Sequence, residues 1–168
     1  MTIFFSVIIT AILLKIAYTD FKEKAIFDLD LILAALIIGI YKLYSAEFIS
    51  GCFGALAGFI TGYIIYAATL LIYKAEGFGF GDVLLLAVLG LFWGWPMFLD
   101  YFTVTMILTG FTFLFLIILK PSIKYVAVPF APILIFWIPV YLFSGTPTIF
   151  QIYAHIMYIT NFTDCIFI

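Results

Sequence analysis

Apolar runs approaching twenty residues, separated by short stretches that hold most of the charge, recur along the whole chain at about 3–18, 26–44, 48–73, 83–99, 101–119 and 125–143. A helix needs about 20 residues to cross about 30 Å of hydrocarbon, so this spacing predicts six transmembrane helices. The first and fourth runs are short, which implies local thinning of the bilayer or a span that starts below the surface. Of the 168 residues, 67% are hydrophobic and 10% charged, and mean hydropathy is +1.33. A water-soluble fold has too little polar surface to cover such a chain. The expectation is an all-α integral membrane protein forming a single polytopic domain over residues 1–168. The tail from Pro147 to Ile168 reads as a seventh span or an interfacial helix. The first run lacks a charged leader region and a small-residue cleavage site, so it reads as a retained span.

Orientation follows from the basic residues, which are seven lysines and no arginine. Lys22, Lys24, Lys74, Lys120 and Lys124 fall in the loops after spans one, three and five, whereas the opposite side offers Lys42. Positive charge accumulates on the cytoplasmic side, so those loops are expected in the cytoplasm and the N-terminus outside. A net charge of −2 with no basic patch argues against a nucleic-acid partner. The lysines are expected to meet anionic membrane lipid.

Two carboxylates stand out against this frame. Asp20 lies where span one ends and Asp82 where span four begins. Two whole spans separate them, so both return to the cytoplasmic face at similar depth. An ionisable group at the rim of a span is costly and calls for a function. Two carboxylates in a low-dielectric site share a proton, one acting as base and the other as acid, which is the equipment for water attack on a peptide bond. Asp82 closes the run Glu76-Gly77-Phe78-Gly79-Phe80-Gly81-Asp82. The glycines Gly77, Gly79 and Gly81 are expected to take positive φ and let a substrate backbone approach Asp82, and Glu76 is a candidate for tuning the site. Gly54, Gly58 and Gly62 in span three, and Gly90 and Gly94 in span four, form small-xxx-small repeats suited to close helix packing. Packing inside the monomer is favoured over dimerisation, and the oligomeric state stays open.

Asp20-Phe21-Lys22-Glu23-Lys24-Ala25-Ile26, the run from Glu76 through Asp82 to Leu86, and Val128-Pro129-Phe130-Ala131-Pro132 resemble the three signature regions of the type IV prepilin peptidases, a GxGD-type intramembrane aspartyl protease family. The resemblance covers about residues 18–143. It implies an aspartic endopeptidase with catalytic Asp20 and Asp82, cleaving short basic leaders from prepilins or pseudopilins at the cytoplasmic face of the cell membrane. Pro129 and Pro132 are implied to shape the cavity. The chain departs from the family pattern at Phe27-Asp28, where Pro-Asn is common, at Leu84, where lysine is, and at Ala131, where glycine is; both aspartates are untouched. The two CxxC pairs of a methyltransferase region are missing, which implies proteolysis alone.

Cys52 and Cys165 are far apart and unpaired, and Cys52 is expected to be a small buried thiol. His155 has no partners at metal spacing, so neither a metal nor a cofactor is expected. Asp28 and Asp30 suit the positive N-terminal end of span two. Trp93 and Trp95 suit an interfacial aromatic belt. Two competing functions are a small transporter or proton-coupled subunit using the same aspartates, and a silent scaffold that binds leaders. A relay would place ionisable groups at graded depths, and the middle of each predicted span lacks them.

Overall fold

The computed structural model describes residues 2–73, 78–119 and 130–143. Lys74, Glu76, Gly77, Lys120, Lys124, Pro129 and the tail from Pro147 onward, with His155 and Cys165, lie outside the described residues. Within them the chain is all-helical: α1 Thr2–Glu23, α2 Asp28–Tyr44, α3 Phe48–Tyr73, α4 Phe80–Trp93, α5 Met97–Leu119 and α6 Ala131–Phe143. Phe48–Ile72 is the one stretch, among the described residues, long and apolar enough to cross a membrane by length and composition. Phe80–Trp93 and Met97–Thr112 are shorter apolar helices.

The bundle is organised around α4, whose Val83, Leu85, Leu86 and Leu89 are fully buried. Its most extensive partner is α3, and the glycines explain why. A Cβ built on Gly54 would fall on the Gly90 carbonyl oxygen, one on Gly58 on the Leu86 carbonyl oxygen, and one on Gly90 on the Gly54 carbonyl oxygen. The two backbones therefore touch, and the glycine repeats serve packing within the chain. The other partners of α4 are α2 and α5. Each of the other helices offers one stripe to the core at three- and four-residue spacing: Ile9, Leu13, Ile16 and Asp20 on α1, Leu31, Ala34, Ile38 and Lys42 on α2. Asp20 is inward-facing because it continues the stripe of α1 by one further turn.

The turns correct several expected boundaries. Helix α1 runs past residue 18 to Glu23, closed by Lys24 in the left-handed region (φ 51°), whose N–H donates to the Asp20 carbonyl at 2.9 Å. Span four does not reach Leu99. Gly94 turns the chain at φ 73° and Pro96 follows, so α4 stops at Trp93 and Phe98 and Leu99 belong to α5. Ser50 of α3 ties this turn down, its hydroxyl donating to the Trp95 carbonyl at 2.9 Å while its own carbonyl accepts the Trp95 N–H at 3.0 Å.

Three side chains also depart from expectation. Cys52 is exposed, because α3 turns its glycine face to α4 and Cys52 points away from it. Lys42 is buried and pairs with Glu47 at 2.8 Å across the α2–α3 turn, so its charge is neutralised locally. Trp93 is partly buried and stacks on Tyr101 with ring centroids 5.0 Å apart, leaving Trp95 as the exposed tryptophan of that pair. Asp30, besides opening α2, accepts an ion pair from Lys15 at 2.6 Å that joins α1 to α2.

Candidate active site

Two helix ends meet at Asp20. Asp20, on the last turn of α1, is 6% exposed. Its Oδ2 accepts the backbone N–H of Ala131 at 2.9 Å, and Ala131 is the first residue of α6. An amide at a helix N-terminus has no intrahelical partner and carries part of the positive end of the helix dipole, so α6 directs a fixed donor at this carboxylate. Only the backbone N–H is used, which alanine supplies as well as glycine. The departure at Ala131 leaves the contact intact.

Asp82 occupies the first turn of α4, and its Oδ2 accepts the Gly79 N–H at 3.2 Å. Both aspartates lie beyond the apolar runs 3–18 and 83–99. The Asp20 charge also reaches Asp82: burial first and that charge second raise the Asp82 carboxyl to about 6, against the Gly79 hydrogen bond. Burial pushes the Asp20 carboxyl above its ordinary range too, opposed by the Ala131 amide. The end of α1 and the start of α4 thus lie near enough for the Asp20 charge to act on Asp82.

The two segments that serve the aspartates are joined to each other. Phe78, just before Gly79, is buried and meets Phe130, just before Ala131, edge to face with centroids 5.0 Å apart. Deeper in the core, the Tyr101 hydroxyl on α5 donates to the Leu134 carbonyl of α6 at 2.5 Å. Pro132 sits partly buried in the first turn of α6 beside the Asp20 contact.

The glycines do less by conformational freedom than expected. Gly79 has φ −74° and extended backbone, and among the described residues Gly94 is the glycine with positive φ. Gly81 is needed for space: a Cβ there would stand 3.2 Å from the Ile26 Cβ, where the α1–α2 connection crosses α4. Leu84, two residues after Asp82, points about 200° away around the helix. It lines a cavity of about 430 Å³ with Asp28, Ala35, Ala55 and Ala87, on the flank of α4 facing α2 and α3. That departure is consequently remote from the carboxyl pair.

Sequence reasoning did not single out the Ala131 amide, Phe78 or Tyr101. The Val128–Pro132 motif was the available signal for the first. Nothing in the local sequence marks Tyr101, which is one of 11 tyrosines in the chain.

The arrangement, among the described residues, is that of a helical protein with one buried and one half-buried aspartate at neighbouring helix ends. The sequence matches the type IV leader peptidase family over residues 7–116, a stretch that includes both aspartates. The chain belongs to that family. No curated protein and no solved structure matches it.

Proposed function

We propose that the protein is a six-span intramembrane aspartyl endopeptidase that removes short basic leaders from prepilin-like or pseudopilin substrates at the cytoplasmic membrane face, without methyltransferase activity. Asp20 and Asp82 form its catalytic dyad, Gly79 and Gly81 shape the approach to it, and Glu76, Pro129 and Pro132 complete the site. What supports this reading is the Asp20 carboxyl, buried against the N-terminus of α6, whose charge bears on the half-buried Asp82 carboxyl 62 residues further along the chain. The lysines Lys22 and Lys24 beside Asp20 support a cytoplasmic site.

The chemistry follows from a shared proton. The ionised carboxylate takes one proton from a water molecule as the water oxygen bonds to the scissile carbonyl carbon. The protonated carboxyl donates its proton to the carbonyl oxygen. When the tetrahedral species collapses, the C–N bond breaks, the amine leaves with the proton held by the first aspartate, and the hydroxyl proton of the adduct returns to the second. The dyad ends with its single shared proton restored.

Co-expression with a pilin-type precursor from the same genome, followed by gel shift, tests the assignment. Leader removal is expected with the parent protein and is lost with Asp20→Asn or Asp82→Asn; undiminished processing by either variant refutes it. The pH dependence has a defined sign. One carboxyl must keep its proton, so kcat/KM is expected to fall as pH rises through about 6, the value toward which Asp82 is raised, and to fall again in acid when the second carboxyl protonates. These limbs belong to the coupled pair. A rate that keeps climbing to pH 8 in purified protein contradicts the shared-proton mechanism.

A further inference from the structure

The shared proton could reside on either aspartate, and the packing around them is asymmetric. Asp82 takes its hydrogen bond from Gly79, an exposed residue of its own loop three positions away. Asp20 takes its bond from a fully buried amide 111 residues away in sequence. An N–H donor favours the charged form of the carboxyl it meets, and a donor fixed at a helix N-terminus does so most effectively when the helix cannot shift. What holds α6 in place therefore bears on which carboxyl is ionised.

Tyr101 is the anchor. It is fully buried, its ring stacks on Trp93, and its hydroxyl reaches the carbonyl of Leu134. Leu134 stands three residues into α6, about 4.5 Å along the axis from Ala131. Phenylalanine would fill the same apolar space and present the same face to Trp93. The hydroxyl adds a directional bond between α5 and the first turn of α6, and the end of that turn is the amide on Asp20.

Resting on the protease reading above, we propose that Tyr101 is a positioning residue for the dyad: through Leu134 it fixes the start of α6 so that the Ala131 amide holds Asp20 as the ionised base, which leaves Asp82 as the acid. Of the described charged groups, Asp20 is the one whose charge bears on Asp82. Lys15 and Asp30 are paired with each other on the α1–α2 side.

The experiment measures precursor cleavage by purified parent and variant proteins across pH. Tyr101→Phe is expected to lower kcat by about ten-fold with KM nearly constant, and to move the acid limb to higher pH, because a carboxylate that loses a well-placed donor binds its proton more tightly. Ala131→Pro deletes that single N–H at a first-turn position where proline is tolerated, and is expected to move the same limb further. Ala131→Gly keeps the amide and restores the parent limb. The inference is overturned if Tyr101→Phe and Ala131→Pro leave the acid limb where the parent has it, or if they lower only the yield of folded protein. That result is distinguishable from failure of the protease reading, in which Asp20→Asn and Asp82→Asn would themselves still cleave.

Discussion

Asp82→Asn is expected to slow leader cleavage by at least about 10³-fold while leaving the protein folded and as stable as the parent. Positioned acid–base groups contribute about 10²- to 10⁴-fold each, and the two aspartates work on one proton, so removing either removes the function of both. The double variant Asp20→Asn/Asp82→Asn should accordingly be no slower than the single ones, the non-additivity typical of groups that act as a unit. Stability points the other way. Asparagine retains an oxygen for the Gly79 N–H and relieves the repulsion that Asp20 exerts on a half-buried charge, so thermal melting in detergent should not fall. Single-turnover cleavage together with a melting curve checks both halves. A variant that cleaves within ten-fold of the parent, or that loses activity only because it unfolds, would contradict the expectation.

The second large effect concerns the α3–α4 contact. Gly90→Ala, a change of one methyl group, is expected to destabilise the protein by more than about 3 kcal/mol, above the usual cost of overpacking. The added carbon would meet the Gly54 carbonyl, and backbone on both sides leaves no rotamer through which to escape. Gly39→Ala is the matched comparison. Its Cβ would have nothing within 4 Å, so helix propensity alone predicts a gain of up to about 1 kcal/mol. Thermal melts of the two variants side by side decide the matter: equal stability would mean that α3 and α4 are not in backbone contact.

Much of this was legible in the chain. Run length marks the helices, the two aspartates stand out at the ends of apolar runs, and the glycine spacing anticipates a close helix pair. What stayed hidden has a common physical cause. Helices that are apolar on every side carry no amphipathic stripe, so the sequence does not say which face is turned outward. Cys52, which reads as buried, is exposed for that reason, and Trp93 and Tyr101 look like any other aromatic in a chain rich in them. The α4–α5 boundary was blurred because Trp93-Gly94-Trp95-Pro96 is hydrophobic throughout, although a glycine at positive φ and a following proline end a helix regardless of hydropathy. The Ala131 amide was invisible by nature, since a backbone donor carries no residue identity.

The glycine contact between α3 and α4 also divides the labour of the bundle. Two backbones in direct touch can neither slide nor roll without collision, so Asp82 rides on the stiff half of the molecule. Asp20 and Ala131 ride on the other half, joined to α4 through side chains such as Phe78 and Phe130 rather than through main chain. The position of Asp82 is thereby set by main-chain contact, and that of Asp20 by the side-chain and hydrogen-bond contacts that hold the end of α1 to the start of α6.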